Sequence, residues 1–276
     1  MTHIQLDVAF VDDILRFLKL RRQPPTYEYL NALIGASIRR VPWESVTRIL
    51  KRNATPETAD CPRFPREVWD DAMRFGGGGT CFEINYAFFA LLNALGFEGY
   101  MTLNDMTEAQ KCHAAIVILF NGQKYLVDVS VPLPRAAAFF SDSTVYHYTP
   151  WLNFTVRPEG ENRYVVERAP HARPYIFTLN DIPVSAKDFE AAIEADYLPT
   201  GYFLNRVVIN RMFDNTAWLF NSDTKPFMLE SFDHDGKHEI RLNPKTLTES
   251  LAEQFQIPAE KISAALSLVG ATKEPV

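Results

Sequence analysis

Three residues have the types and the chain order that nucleophilic chemistry needs: Cys81, then His113, then Asp128. A thiolate is a strong nucleophile, an imidazole can take the proton of the thiol, and a carboxylate can orient the imidazole. We therefore interpret the three residues as machinery for acyl transfer through a thioester on the cysteine. The structural alternative is a buried cysteine, a core or surface histidine, and an aspartate satisfied by another donor.

The cysteine is predicted to begin a helix. Four glycines, at positions 76 to 79, precede Thr80 and Cys81, and Thr80 with Glu83 forms a capping-box pattern. Gly96 is well placed to end this helix. A thiol in the first turn faces free backbone N–H groups and the positive end of the helix dipole, which favour a thiolate and can stabilise an oxyanion. The glycines let the backbone turn tightly and leave room beside the sulfur.

A β-hairpin is predicted to bring the histidine and the aspartate together. Asn121-Gly122 lies between two apolar runs and is typical of a type I′ turn of two residues. Such a turn pairs Val117 with Leu126. It also puts His113 and Asp128 on one face of the hairpin as diagonal neighbours, because side chains alternate along a strand. The imidazole and the carboxylate are therefore expected to be in contact.

The partner of Asp128 is open to two interpretations. The aspartate lies in an otherwise apolar run, where an unpaired carboxylate is costly, so a partner is required. His113 is the nearest candidate, and Lys124 or a backbone donor is the alternative.

The other cysteines are weaker candidates for the nucleophile: Cys112 is expected to face away from the histidine, and Cys61 lies in a proline-bearing loop. No metal-ligand spacing and no phosphate-loop motif occurs in the sequence.

Length, charge and hydropathy narrow the class of protein. The chain has 276 residues, enough for one large domain or two to three small ones. A net charge of −6 argues against a nucleic-acid partner, since phosphates need a basic face. No stretch approaches about eighteen uncharged apolar residues, so no membrane span is expected. Three sparse cysteines favour a reducing, cytoplasmic location.

The periodicity of apolar residues predicts an α+β fold in three parts. Residues 1–96 are mostly helical and carry the cysteine; residues 97–184 are mostly short strands, including 113–120 and 124–129, and carry the histidine and the aspartate. Residues 185–276 begin with a helix at 187–196, continue with strands and end in helices. The expected parts are a helical bundle, a β-barrel-like middle and an α/β closing section.

Several segments together resemble the arylamine N-acetyltransferases. They are residues 78–85 around the cysteine, the strand that bears His113, residues 125–129 around Asp128, residues 41–46 and residues 205–208. The resemblance spans most of the chain. It implies a helical bundle, a central β-barrel and a C-terminal α/β lid around a core like that of cysteine proteases and transglutaminases. It also implies a ping-pong reaction in which acetyl-CoA acetylates Cys81, and an arylamine, hydrazine or N-hydroxyarylamine then takes the acetyl group.

The resemblance further implies which residues meet the substrates. The partners are CoA, with acetyl-CoA as co-substrate, and a small amine acceptor; no metal, nucleic acid or membrane is implied, and no motif marks the oligomeric state. Tyr202 and its neighbour Phe203 reach the pocket from the lid by analogy, with core packing as the favoured alternative. The other residues implied in binding are Gly78, Gly79, Thr80, Phe82, Ser130 and Val131.

Two departures from the family pattern leave other functions open. Gly77 stands where the family usually has an arginine whose partner is the glutamate matched by Glu44, so either Arg74 substitutes for it or the link is missing. Residues 130–132, Ser-Val-Pro, replace Gly-Phe-Gly, and Pro132 removes a backbone donor. The alternatives are a family member with another acyl donor or acceptor, such as an amide synthase or thioester hydrolase, or an inactive homologue.

Overall fold

A computed structural model describes residues 5–131, 133–214 and 216–270. Five helices occupy the first third of the chain, and three more lie in the last third. Short 3-10 turns at Thr58–Asp60 and Pro244–Thr246 complete the helical elements. The helices are α1 (Val8–Leu18), α2 (Tyr27–Arg40), α3 (Val46–Ala54), α4 (Pro65–Phe75), α5 (Cys81–Ala94), α6 (Ala186–Asp196), α7 (Leu247–Phe255) and α8 (Ala259–Leu268).

The strands form three antiparallel sheets. The first sheet contains, in spatial order, β2 (Glu98–Asn104), β3 (His113–Phe120), β4 (Gln123–Val127) and β5 (Ala137–Ala138). The second contains β6 (Val145–His147), β7 (Asn153–Gly160), β8 (Arg163–Ala169) and β9 (Tyr175–Asn180). The third has β1 (Trp43–Glu44) at one edge, followed by β10 (Val208–Phe213), β11 (Thr216–Asn221), β12 (Met228–Asp233) and β13 (Gly236–Arg241).

The predicted mixture of helix and sheet is confirmed, and the barrel is not. Among the described residues the middle section forms two open four-stranded sheets, joined by a bridge between Asp105 and Thr178. The division of the chain at residues 96 and 184 stays a prediction. One strand crosses that division, because β1 from the helical section pairs with β10 of the third sheet.

The hairpin of β3 and β4 follows the sequence closely. Asn121 and Gly122 have φ angles of 49° and 76°, the positive values that a type I′ turn requires, and Val117 pairs with Leu126 as predicted. The second strand is shorter than expected, since β4 ends at Val127 and not at residue 129. Asp128 therefore lies just past the ladder, where its carboxylate accepts hydrogen bonds from backbone groups that follow it.

Helix α5 is the central element of the main core. Every residue from Cys81 to Leu92 is buried, because α4 packs on one side of the helix and strands β2 and β3 pack on another. A second core joins α3 to the third sheet and to α7 and α8, with Val46 and Ile49 packed among residues of those elements. No helix in the described parts of the chain is both long and apolar enough to cross a membrane.

Candidate active site

Cys81 is the first residue of α5, and Thr80 is its N-cap. The capping box is confirmed, since the backbone N–H of Thr80 donates to Oε2 of Glu83 at 2.8 Å. Gly96 follows the helix with a φ of 87°, as expected of the residue that ends it. Only 8% of Cys81 is exposed, and its Sγ lies 3.9 Å from the carbonyl oxygen of Cys112. The thiol is thus held at the helix N-terminus, close to the start of β3.

His113, the first residue of β3, lies between the thiol and the carboxylate. Its Nε2 is 2.7 Å from Oδ2 of Asp128, and its ring packs against Phe177 with centroids 4.5 Å apart. Burial lowers the pKa of His113, but Asp128 and Cys81 outweigh burial through charge and hydrogen bonds and raise this pKa to about 10. The imidazole is therefore protonated over the neutral range whenever both partners are charged. The predicted contact between His113 and Asp128 is present.

Asp128 is surrounded by donors. Its Oδ1 accepts from Oγ of Ser130 at 2.6 Å, from N of Ser130 at 2.9 Å and from N of Val131 at 3.2 Å. Burial raises the pKa of Asp128, but the charge of His113 and these hydrogen bonds bring it below its ordinary value. The carboxylate is thus held ionised and fixed in orientation. Lys124, the alternative partner, pairs with Asp181 at 2.6 Å instead.

Asn85 is a site residue that the sequence reasoning missed. Its Nδ2 donates to Oδ1 of Asp128 at 2.9 Å and to the carbonyl of Ala114 at 2.7 Å. Its Oδ1 accepts from N of Val129 at 3.0 Å. The amide therefore joins α5 to both strands of the hairpin. A signal was available, because Asn85 lies four residues after Cys81 and so shares its face of the helix.

The glycines before the cysteine are explained by contacts within the protein. A Cβ on Gly78 would lie 1.8 Å from the carbonyl oxygen of Pro42, and one on Gly79 would lie 2.6 Å from Oε2 of Glu83. The carbonyl of Gly79 also accepts from N of Glu44 at 3.0 Å. Larger residues would displace the segment that presents Cys81. The predicted contact of these glycines with substrate stays a prediction.

Arg63 is the arginine that lies near Glu44. The prediction that Arg74 substitutes for the family's arginine there is wrong. Glu44 accepts from N of Gly78 at 2.9 Å and from Oγ1 of Thr47 at 2.5 Å. Arg63 donates through Nη1 to the same Thr47 oxygen and to the carbonyl of Gly78, each at 2.8 Å. Arg74 is exposed on the outer side of α4. Arg74 therefore makes no link to Glu44. Arg63, which precedes α4, is connected to Glu44 through Thr47 and through opposite charge, with no direct hydrogen bond between the two side chains in the described part of the chain.

Arg63 belongs to a group of buried charges beneath Cys81, which we call the ion cluster: Glu44, Arg48, Arg63, Asp71, Glu83, Asp196 and Tyr197. Arg63 pairs with Asp71 at 2.6 Å and with Glu83 at 3.4 Å. Arg48 donates to Oγ1 of Thr80 at 2.9 Å and pairs with Asp196 at 2.6 Å, and the hydroxyl of Tyr197 donates to Glu83. The cluster ties α3, α4 and α6 to the first turn of α5.

The remaining residues predicted to bind substrate have separate places. Phe82 is 2% exposed and packs against Phe189 with centroids 5.9 Å apart. Tyr202 and Phe203 are half-buried, so neither is a fully buried core residue, and their contact with substrate stays a prediction. The hydroxyl of Tyr202 donates to the carbonyl of Glu108 at 3.4 Å, and Phe203 meets Trp43 edge-on with centroids 4.8 Å apart. Pro132 lies outside the described residues.

The sulfur atoms of the other two cysteines lie near backbone carbonyls. Sγ of Cys112 lies 3.1 Å from the carbonyl of Ala109, and Sγ of the fully buried Cys61 lies 3.4 Å from the carbonyl of Glu57. Neither has a histidine among its hydrogen-bond partners in the described residues. Across residues 5–131, 133–214 and 216–270, no three His, Cys, Asp or Glu side chains are grouped so as to hold a metal ion.

Comparison with known proteins shows which family this chain is similar to. A family model described as N-acetyltransferase matches residues 26–263. Arylamine N-acetyltransferase 1 of Oryctolagus cuniculus is 25% identical over 155 residues, which are 45% of this chain and 52% of that protein. The match thus spans about half the length of this curated relative.

Solved structures show the same fold over nearly the whole chain. The arylamine N-acetyltransferase from Mycobacterium abscessus has a TM-score of 0.79 at 19% identity, over 96% of this chain and 95% of that one. The Mycobacterium marinum arylamine N-acetyltransferase in complex with CoA has a TM-score of 0.78 at 15% identity, over 95% of this chain and 98% of that one. Fold and family match together define the class of protein as acyltransferase.

Within that class, the chain belongs to the arylamine N-acetyltransferase family. The resemblance inferred from the motifs around Cys81 and Asp128 is confirmed.

Proposed function

We propose that the chain moves an acetyl group from acetyl-CoA, through a thioester on Cys81, to an arylamine, hydrazine or N-hydroxyarylamine. Cys81 acts as nucleophile, His113 as base, and Asp128 orients the histidine. One observation carries the proposal: the thiol, imidazole and carboxylate form a continuous contact at the start of α5, in a member of this family. The relative from Mycobacterium marinum, which was solved with CoA, supports CoA as the carrier of the acyl group.

Each half of the reaction is a transfer at the thioester carbonyl. In the first half, the proton of Cys81 passes to His113, the thiolate attacks the acetyl carbonyl, and CoA leaves as a thiol with the proton from His113. In the second half, the amine attacks the thioester of Cys81, His113 takes a proton from the amine, and the cysteine sulfur leaves. The oxyanion of either step can be stabilised by first-turn N–H groups of α5, which have no intrahelical acceptor.

The binding roles follow as parts of the same proposal. Tyr202, Val131 and Ser130 meet the substrates beside the thiol, together with the segment from Gly78 to Phe82. The half-buried positions of Tyr202 and Phe203 support this role, because they leave aromatic surface free near Trp43. The cytoplasmic location stays a prediction from the sequence.

A different acyl group or acceptor is the second candidate function. The observation that favours it is the Ser130 side chain, which donates to Asp128 at 2.6 Å where the family resemblance expects a glycine. Comparing hydrolysis rates of acetyl-, propionyl- and malonyl-CoA distinguishes the candidates. A clear preference for acetyl-CoA supports the first proposal, and a preference for a longer or charged acyl group supports the second.

The central test is the intact mass of wild-type protein and of Cys81→Ser after incubation with acetyl-CoA and no acceptor. We expect one added acetyl group on the wild type and none on the variant. The free CoA released is measured in parallel, so that a rapidly hydrolysed thioester is still detected as turnover. An undiminished acetyl transfer to an arylamine by Cys81→Ser would rule out the proposed nucleophile.

The charge state of His113 predicts a pH dependence of stability. Since the pKa of His113 is raised from 6.5 to about 10, its contribution to folding is complete below pH 6.5 and is lost as the pH rises towards 10. We expect the free energy of unfolding of the wild type, measured by urea titration, to fall over this range. The matched variant Asp128→Asn should fall less steeply, because the carboxylate that raises this pKa is gone. Equal slopes would contradict the assignment.

A further inference from the structure

A groove that none of the three candidate catalytic residues lines has an unusual set of charges. It lies where the ends of α2, α4 and α7 meet β10, has a volume of about 560 Å³, and contains none of Cys81, His113 and Asp128. We call it the arginine groove. Its lining residues are Phe17, Arg40, Ala72, Met73, Arg74, Phe75, Gly76, Arg211, Ala252, Gln256, Ile257 and Pro258.

The charged residues of the arginine groove all have one sign. Arg40, Arg74 and Arg211 line it, and no aspartate or glutamate of the described chain does. This is unexpected in a protein whose net charge is −6. Within the described residues, Arg40 and Arg74 form no ion pair and no hydrogen bond through their side chains. The groove therefore carries positive charge that the protein itself leaves unneutralised.

Arg211 is the buried member of the three, with only 7% of its surface exposed. Its Nε donates to the carbonyl of Arg39 at 3.2 Å and its Nη1 to the carbonyl of Phe255 at 2.6 Å. No described residue accepts from Nη2, and no carboxylate is paired with the guanidinium. Buried arginines are ordinarily paired with a carboxylate, because desolvating a lone charge is costly. Burial, and then the charge of Arg40, lower the pKa of Arg211 to about 10.

Helix dipoles neutralise only part of this charge. Three helices, α2, α4 and α7, end at the arginine groove, and each C-terminus carries roughly −0.5 of an elementary charge. Together they supply about −1.5 against about +3 from the guanidinium groups. The two carbonyls that Arg211 contacts belong to two of these ends. A positive excess remains, which a bound anion would neutralise.

The walls of the arginine groove indicate that its ligand has an apolar part as well as a negative charge. Phe17, Met73, Phe75 and Ile257 give it apolar surface next to the arginines. Guanidinium groups match the oxygen geometry of phosphate, and a dianion suits three of them better than a single carboxylate does. We propose that the arginine groove binds a small organic phosphate, with the phosphate against Arg40, Arg74 and Arg211 and the apolar part against Phe17 and Ile257. This site is separate from the one at which acetyl-CoA reacts.

A neighbouring hollow provides the matched control. It shares Phe17, Met73 and Arg74 with the arginine groove, but Asp13 and Asp70 also line it. Its two other arginines are already paired, Arg16 with Asp13 at 2.6 Å and Arg66 with Asp7 at 2.9 Å. Removing these two arginines changes the net charge as much as removing Arg40 and Arg74, but it leaves the groove intact.

The test is calorimetric titration at low ionic strength with phenyl phosphate, inorganic phosphate and phenol. Wild-type protein should bind phenyl phosphate more tightly than inorganic phosphate, and phenol not at all. Arg40→Gln/Arg74→Gln should bind phenyl phosphate about tenfold more weakly or worse, since two charge-assisted contacts are lost. Arg16→Gln/Arg66→Gln should bind it as the wild type does. Saturating CoA on Cys81→Ser protein should leave this binding unchanged.

Several outcomes would overturn the proposal. No heat of binding for either phosphate, or equal loss in both double variants, would mean that the groove is not the site. Equal affinity for phenyl phosphate and inorganic phosphate would exclude the role of the apolar wall. Displacement by CoA would mean that the phosphate site belongs to the acetyl donor and is not separate.

Discussion

The ion cluster beneath Cys81 and the arginine groove both bury guanidinium groups, but they balance the charge in opposite ways. In the cluster, Arg63 meets Asp71 and Glu83 within 3.4 Å. In the groove, the 7% exposed Arg211 donates to carbonyl oxygens and lies over the ring of Phe213, 4.7 Å from its centroid. Its charged neighbours on the groove wall are two more arginines. Two sites of similar burial therefore differ in whether the chain supplies the counter-charge.

This difference in charge balance distinguishes a cluster that supports the backbone from a groove that can bind an anion. A cluster whose guanidinium groups are paired with carboxylates of the same chain has little to gain from an outside anion, and its hydrogen bonds and ion pairs can hold a backbone rigidly. The ion cluster does so around Gly78 and Thr80, which precede the thiol. A buried guanidinium without a carboxylate partner can still form an ion pair with a bound anion. The same residue type thus positions a nucleophile in one region and leaves a place for an anion in the other.

The largest expected effect is that of Arg63→Met. It leaves three carboxylates, of Glu44, Asp71 and Glu83, without the cation between them, and breaking a buried pair in this way costs about 3–5 kcal/mol. We expect this loss in the free energy of unfolding from urea titration. Arg63→Lys should lose less, because the charge remains and only the forked hydrogen bonds are reduced. Equal losses would show that the cation's charge is not what matters.

A smaller effect is expected for Arg211→Met. No buried carboxylate is stranded; the loss comes from two hydrogen bonds made by a charged group to helix-end carbonyls, about 1.5–3 kcal/mol each, and it is partly offset because an unpaired charge no longer has to be buried. Urea titration beside Arg63→Met measures the difference directly. If Arg211→Met were the more destabilising of the two, the contrast between balanced and unbalanced arginines would fail.

The smallest effect is expected for Arg40→Gln/Arg74→Gln. The two side chains form no described hydrogen bond or ion pair, and surface changes of this kind are usually within about 0.5 kcal/mol. Thermal unfolding without added phosphate should be close to wild type. With phenyl phosphate, the wild type should gain more stability than the variant, because a ligand that binds more tightly stabilises the folded state more. A loss above about 2 kcal/mol without ligand would indicate that these arginines support the fold.

The predicted local structure around the candidate site is confirmed where the signals are local. The capping box and the type I′ turn depend on residues within a few positions of one another, and both formed as expected. The contact between His113 and Asp128 follows from the register that the turn sets. The end of β4 was misplaced, because the carboxylate of Asp128 captures the next N–H groups and so ends the ladder.

The same reasoning could not find Arg63. Its partners come from residues 47 to 83, in three helices and the glycine segment, and no periodicity relates them. Arg74 was a natural guess because it is close to Gly77 in sequence, but it lies on the outer side of α4. The half-buried state of Tyr202 and Phe203 could not be read from the sequence either, since it depends on how the last section packs against Trp43.

By itself the sequence determined the family, the cysteine at a capped helix start, and the histidine and aspartate on one face of a hairpin. These follow from hydrogen bonds and side-chain alternation over short stretches of chain, which act before any distant contact exists. Tertiary structure alone decided which arginine joins Glu44, that Asn85 links the helix to the hairpin, and that Arg211 is buried without a carboxylate. Charge balance in an interior depends on what long-range packing brings within a few ångströms, and no short pattern records it.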